Sequence, residues 1–420
     1  MVGPLGILAG GGSLPVDIAA RIVAAGRQVH IIGIDGEAER TIAAFPHEFV
    51  NWGRIGRLLA SFRQAGCREL VIVGSVSRPD LAKIRPDLGV LRYLPTILSL
   101  IRAGGDDSLL RKVVRFFEAQ GFTVRGIFDV APELLASVGP LVATSASAAD
   151  DADIGLGFRL VDALGPVDVG QAVVVHNGRV LAIEAAEGTD RMLKRLADTR
   201  SHGCFGGVLV KRPKPRQELR IDLPAIGPRT VQGVAAAGLT GIGIEASRVL
   251  IADRAETCAA AQAAGLFITG VAASTSATTV ALPPAPAAVT TLGRITPNTH
   301  HMADIARGLE TLRLVAPFAV SAGVVVSRHH VLAIETGEGL DAMLARVQTL
   351  RQWGRTANRR RGVLSVPSLG PAPEWLLTLA ANAGLAGVVV ADAGAQLSAT
   401  AVIAAKRHGL FVAAKIDAAG

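Results

Sequence analysis

Aromatic side chains are scarce in this chain: one Tyr and three Trp in 420 residues. Binding a nucleic-acid strand calls for stacking faces among clustered cations, and here the basic residues are scattered. Nucleic acid is therefore not expected as a partner, despite a formal net charge of +8 and a pI near 10.0. A basic protein of this kind suits a nucleotide or an anionic phospholipid surface. Cysteine is almost missing. Cys67, Cys204 and Cys258 stand apart, with no C-x-x-C and no even framework, which predicts reduced thiols in a cytosolic protein. The N-terminus has neither a basic n-region nor an apolar h-region with a small-residue cleavage site, so no signal peptide is expected. Long apolar runs are lacking too. Residues 257–293 carry no formal charge, but they are mostly Ala, Ser, Thr, Pro and Gly, too weakly apolar for the ~20-residue span a bilayer requires.

What the chain does have is Ala, Gly, Val and Leu in quantity, the composition of tightly packed α/β layers. Its length suggests about three domains. Leu5–Ala9 reads as a strand, Gly10-Gly11-Gly12-Ser13 as a loop, and Val16–Ala25 as a helix with Pro15 in its first turn. Ser13 is expected to cap that helix, and the bare loop amides to form an anion site. A second strand, Val29–Ile34, ends at Asp35. Gly10-x-Gly12 with that acid is part of a dinucleotide fingerprint, but Pro15 stands where its third glycine would be. Helix Ile55–Ala65 follows. Strand Leu70–Val73 runs into Gly74-Ser75-Val76-Ser77-Arg78, residues 94–103 read as helix, and Gly104-Gly105-Asp106-Asp107 opens a helix to Gln120. Phe122–Phe128 reads as another strand. The alternation predicts a parallel, doubly wound sheet with all three loops at one crevice. Paired acids at a helix start serve as capping or hold Mg²⁺ or a ribose.

After a linker-like stretch at 139–152 comes a hairpin, Ala172–Val175 and Val180–Glu184, turned by Asn177-Gly178. A helix follows from Thr189-Asp190. His176, Asn177, Glu184, Glu187, Thr189 and Asp190 are expected to cluster on this unit. The segment Lys211–Thr230 is basic and stiffened by proline, with an acid, Asp222, set among apolar residues. That pattern suits a phosphorylated ligand. The hairpin unit also recurs: residues 327–347 match 176–196 at eleven of 21 positions, at an offset of 151. Val366–Pro371 matches Leu223–Pro228 at an offset of 143, so residues 152–270 read as duplicated onto 303–412. The second copy keeps apolar positions with Glu335, Glu338 and Asp341. It replaces Gln171 by Ala322, His176 by Ser327, Asn177-Gly178 by Arg328-His329 and Arg229 by Ala372, and in this alignment Asp222 falls on Ser365.

Gly6–Pro15, Gly105–Arg111, Gln171–Asp190 and Lys211–Arg229, in that order, resemble the UDP-2,3-diacylglucosamine pyrophosphatases of lipid A synthesis, the LpxI type, up to about residue 270. The resemblance implies a cytosolic two-domain enzyme, peripheral at the inner membrane, that closes around a diacylated UDP-sugar. It implies hydrolysis to UMP and 2,3-diacylglucosamine 1-phosphate (lipid X) with Mg²⁺, Asp222 directing water at the sugar-side phosphorus. The expected architecture is α/β: a Rossmann-like nucleotide- or phosphate-binding domain at 1–138, a catalytic α/β domain at 152–270, an Ala/Pro/Ser/Thr linker at 271–298, and a degenerate duplicate at 299–420. The candidate substrate-binding residues are Gly10, Gly11, Gly12, Ser13, Gly74, Ser75, Arg78, Asp107, Gln171, His176, Asn177, Thr189, Asp190, Lys211, Lys214 and Arg229. Asp106 and Asp107 are the candidate metal ligands. The extra copy departs from the family pattern, and it is expected to pack on the first copy or on another protomer. Two rival readings are a nucleotide-sugar or lipid-carrier binding protein without turnover, opposed by the intact Asp222 segment, and a dinucleotide-dependent oxidoreductase, opposed by the missing glycine.

Overall fold

Leu5–Ala9 (β1) is buried along its whole length, as a strand covered on both faces must be. It pairs in parallel with β2 (Val29–Ile34) on one side and β4 (Glu69–Val73) on the other. With β3 (His47–Val50) and β5 (Thr123–Arg125) the order is β3–β2–β1–β4–β5, all parallel. Helix α1 (Leu14–Ala24) covers one face through Ile18 and Ile22. Helices α2 (Ile55–Gln64) and α3 (Asp106–Ala119) cover the other through Leu59, Phe62, Val114 and Phe117. The order reverses between β1 and β4, the place where doubly wound sheets hold ligands beyond their strand C-termini. Phe122–Phe128 does not run as one strand. It leaves the sheet after Arg125, where the Gly126 amide donates to Asp129 Oδ2 at 2.9 Å and starts a short helix, Ile127–Val130.

This computed structural model describes residues 3–51, 53–75, 106–200, 205–215, 217–273, 288–320, 323–350, 360–392 and 394–416, with the backbone alone at 106–108. The helix expected at 94–103, with Arg78 and Cys204, lies outside them. The chain forms two compact units that are discontinuous in sequence. Residues 1–137 are joined in the first by two later segments, 216–225 and 246–254. Ile221 packs against the core that holds Val114 and Phe117, while Leu223 and Ala225 pack on the opposite face of the same sheet. The Leu250 amide donates to the Pro224 carbonyl, tying the two segments together.

The second unit holds two six-stranded sheets of one design. The first consists of β6 (Gly139–Pro140), β7 (Ala172–His176), β8 (Arg179–Ile183), β9 (Val208–Lys211), β10 (Gly241–Glu245) and β11 (Phe267–Val271), in the order β6–β11–β10–β9–β7–β8. Its helices are α4 (Ala148–Leu164), α5 (Thr189–Thr199), α6 (Pro228–Ala236) and α7 (Arg254–Ala263). The second consists of β12 (Ala288–Thr291), β13 (Val324–Ser327), β14 (His330–Ile334), β15 (Val363–Val366), β16 (Gly387–Val390) and β17 (Phe411–Ile416), in the order β12–β17–β16–β15–β13–β14. Its helices are α8 (Thr299–Val315), α9 (Leu340–Leu350), α10 (Pro373–Asn382) and α11 (Ala399–His408). Each sheet has an antiparallel edge strand, three parallel strands and an antiparallel hairpin. Both edge strands, β6 and β12, fall in stretches expected to be linkers. An edge strand pairs on one side only and needs little apolar pattern, which is why composition concealed them.

The Asn177-Gly178 turn forms as expected, with φ of 49° and 74°. Its amides are held by buried Asp153, at 2.8 and 2.7 Å. Asp304 does the same for Arg328 and His329, which keep positive φ without any glycine. The register also corrects the alignment of the copies. Val210 pairs with Val173, and Ser365 pairs with Val324, which is equivalent to Val173. Val210 faces Gly157 and Ser365 faces the equivalent Gly308. Ser365 thus stands on Val210 and Val366 on Lys211; Ser365 does not stand on Asp222. Asp153→Ala should lower the unfolding free energy by about 3 kcal/mol, and Asp153→Asn by roughly half that, since one acceptor oxygen remains. Urea titration followed by circular dichroism checks this; an unchanged midpoint would mean that water replaces the carboxylate.

Candidate functional site

In the first unit the loop after β1 and the loop after β4 meet at the switch point. The Gly10 amide donates to the Val73 carbonyl at 2.8 Å, and Gly11 and Ser75 exchange both backbone bonds, at 2.7 and 3.0 Å. A Cβ on Gly74 would stand 2.8 Å from backbone atoms of Gly10 and Gly11, so this approach requires glycine. Gly10, Gly11, Gly74 and Ser75 therefore come together as a clasp in which the Gly10, Gly11 and Ser75 amides are engaged, rather than as a bare anion cradle. The amides of Gly12, Ser13 and Leu14 lie at the start of α1, where helix N–H groups have no intrahelical acceptor. Ser13 does not cap α1 with its side chain. Its hydroxyl donates to Asp253 at 3.4 Å. Asp17, in the first turn, is held above the usual carboxylate range by burial and by Asp253. Two acids beside these amides make the spot better suited to a hydroxyl or a cation than to a bare phosphate.

Asp222 belongs to this same unit. Its neighbours Ile221 and Leu223 anchor in the two cores, and the Gln217 side-chain amide donates to Asp222 Oδ2 at 2.7 Å. Glu218, a second acid in the segment, is gripped by Arg220 through two 2.8 Å bonds and held below the usual carboxylate range by them. Arg220 also reaches Glu118 on α3 at 2.7 Å. Asp106 and Asp107 are the first two residues of α3; their side chains lie outside the described atoms.

In the second unit the strand ends sort the remaining candidates. Lys211 closes β9 opposite Ala172, beside Gln171, whose carbonyl accepts the Arg212 amide at 3.0 Å. The buried Lys211 ammonium donates to Thr189 Oγ1, the first residue of α5, at 2.9 Å. Gln171, Glu184, Thr189 and Lys211 thus share the edge at the C-terminal ends of the parallel strands. His176 and Asn177 do not. They sit at the opposite end of the hairpin, about 17 Å away across a five-residue strand, and the Asn177 amide is occupied by Asp153. The expected single cluster is therefore split. Two cations of the basic segment are also neutralised within the second unit. Arg212 pairs with Glu245 at 2.7 Å and Asp162 at 2.8 Å, and Lys214 pairs with Asp168 at 2.5 Å. Arg229 and Asp190 make only a 3.9 Å pair, with side chains 87% and 56% exposed, which solvent screens.

The family model of the LpxI N-terminal domain matches residues 4–134, and that of the LpxI C-terminal domain matches residues 137–269 and again 288–413. A curated relative, the UDP-2,3-diacylglucosamine pyrophosphatase LpxI of Caulobacter vibrioides, is 41% identical over 273 residues, covering 64% of this chain and 97% of that protein. This chain belongs to the LpxI family. The 273 aligned residues are too few to span the N-terminal match and both C-terminal matches together.

Glu184 is the acid on the Lys211 edge that sequence reasoning undervalued. Its Oε2 is buried without a hydrogen-bond partner. Burial pushes its carboxyl above the usual range, against the pull of Lys211 and the Thr189 hydroxyl. Its counterpart Glu335 behaves differently: with Val366 where Lys211 stands, Glu335 Oε1 turns back to the amides of Gly337 and Gly339, at 2.6 and 3.2 Å. A cavity of about 360 Å³ lies there, lined by Glu335, Leu340, Val366, Gly370 and Trp375. The recurrence of Glu184 as Glu335 in the repeat was the available signal. Gln217 and Asp253 gave none, since each acts across sequence or through a chain excursion. A carboxyl raised in the folded state favours folding at low pH, and that advantage is lost as pH rises from its ordinary 4.5 through the raised value. Glu184→Gln should therefore melt above the parent at pH 8, with the gap closing toward pH 4; a gap independent of pH removes Glu184 as the cause.

Proposed function

We propose that this chain hydrolyses UDP-2,3-diacylglucosamine to UMP and 2,3-diacylglucosamine 1-phosphate, the reaction named for its Caulobacter relative. The observation that carries the reading is the path of residues 216–225. They bring Asp222 into the same compact unit as the glycine loops and fix its carboxylate through Gln217. A pyrophosphate is cleaved when its charge is stabilised and a water is aligned with the phosphorus. Asp222 is the group we assign to that water: it orients the oxygen and accepts the proton as the new O–P bond forms. Attack at the sugar-side phosphorus places the water oxygen in the lipid product, and UMP departs with the bridging oxygen. The helix start at Gly12–Leu14, beside Ser13 and Asp253, is assigned to hydroxyl groups of the nucleotide. Within the second unit, Lys211 and Thr189, backed by Glu184, are assigned to holding an anion.

Mg²⁺ enters on the resemblance alone. Among the described residues no group of three His, Cys, Asp or Glu side chains could hold a metal ion, and the side chains of Asp106 and Asp107 are not described. No step is therefore routed through the metal. No helix of the described residues is long and apolar enough to cross a membrane. On the family resemblance, we place the protein on the cytoplasmic side, meeting its diacylated substrate at the membrane surface. We further propose that residues 288–416 are a duplicate of 139–271 without catalytic function. The second copy lies wholly in the second unit, and among its described residues none takes the path of 216–225.

Asp222→Ala should leave folding and substrate affinity near those of the parent and lower kcat by at least about 10²-fold, measured as UMP release from UDP-2,3-diacylglucosamine. Near-normal kcat would remove Asp222 from the mechanism. Exhaustive chelation should abolish hydrolysis and added Mg²⁺ restore it; full activity in chelator rejects the metal.

A further inference from the structure

The two copies meet through matching residues. Glu187 and Arg195 of the first copy correspond to Glu338 and Arg346 of the second, each 151 positions later. Within the copies, Arg195 binds Glu187 at 2.8 Å and Arg346 binds Glu338. Across the copies, Arg346 binds Glu187 at 2.5 Å and Arg195 approaches Glu338 at 3.4 Å. Each residue thus meets the counterpart of its own partner, the signature of an isologous two-fold contact. The four side chains are 1–13% exposed, so the ring is nearly dry. Around it, Ile154, Phe158, Val161 and Leu164 of α4 share one apolar cluster with Ile305, Leu309, Leu312 and Val315 of α8, again at a spacing of 151.

From this we propose that residues 288–416 occupy, inside one chain, the place of a partner subunit. The face of the first copy formed by α4, Glu187 and Arg195 is self-complementary. A chain with a single copy would have to cover it with a second molecule, and here the duplicate covers it permanently. This explains why the second copy can lose Lys211, Thr189 and the 216–225 segment yet keep Glu338, Arg346 and the apolar stripe of α8. The inference rests on the proposed duplication and not on the reaction, so the Asp222 assay stands or falls separately.

The test uses the full chain in three forms: the parent, Arg346→Glu, and the complete inversion Glu187→Arg, Arg195→Glu, Glu338→Arg, Arg346→Glu. Mass by light scattering and Tm are followed over about a hundredfold range of concentration, because a contact between molecules makes Tm concentration-dependent. The parent should be monomeric with a constant Tm. Arg346→Glu puts three acids against one Arg in a dry site; its Tm should fall by about 5 °C or more, and its mass should rise with concentration as the uncovered first-copy faces pair. The inversion rebuilds the alternating ring and should return mass and Tm to the parent's. A parent that is dimeric with Tm rising on concentration, or an Arg346→Glu chain that matches the parent in both readouts, overturns the proposal. If Arg346→Glu does not fold, the inversion decides: parent-like behaviour supports the in-chain contact, and a lowered Tm rejects it.

Discussion

The second unit depends on the burial of two equivalent helix faces against each other. Helices α4 and α8 each lie on their own sheet with one stripe and contribute another stripe to the shared apolar cluster. A mixed sheet needs cover on both faces, and such a helix pair supplies it for two sheets at once. Apolar burial provides the strength, because desolvating the Glu187–Arg195–Glu338–Arg346 ring offsets most of its Coulomb attraction. What the ring adds is register: a slip of α5 or α9 would strand a buried charge.

Residues 216–225 impose the second constraint. The chain closes β9 at Lys211, passes Pro213 and Pro215, and leaves its own sheet to complete the cores of the first unit. Ile221 and Leu223 anchor on opposite faces of that unit's sheet, so the residue between them is fixed by burial on either side. An acid placed there inherits a rigid position without any regular element of its own. The anchoring also explains the apolar setting of Asp222, which in sequence has the look of a core fragment interrupted by one charge.

Comparing the two regions that match the LpxI C-terminal model separates architecture from chemistry on physical grounds. Asp153 and Asp304 recur because each accepts two turn amides that would otherwise be buried unpaired. Gly157 and Gly308 recur because a Cβ there would collide with Val210 or Ser365. Lys211 against Val366 and Thr189 against Leu340 show the opposite: one holds a cation and a hydroxyl at the strand ends, and the other a cavity with neither at those positions. Glu184 and Glu335 warn against reading recurrence as a role, since the same carboxylate faces Lys211 in one copy and caps its own turn in the other.

The sequence by itself determined the local elements. β1, the glycine loop and α1 follow from a buried run, the positive-φ Gly12 and a first-turn proline, and the Asn177-Gly178 hairpin follows from turn chemistry. The repeat and the family motifs were legible because they are patterns of identity along the chain. Tertiary structure alone decided the rest. It spent the Gly10 and Gly11 amides on β4, sent His176 and Asn177 to the wrong end of the hairpin, neutralised Arg212 and Lys214 with distant acids, and set Ser365 on Val210. Each of these depends on which backbone groups and charges become neighbours after long-range pairing, and one residue of register moves every such contact.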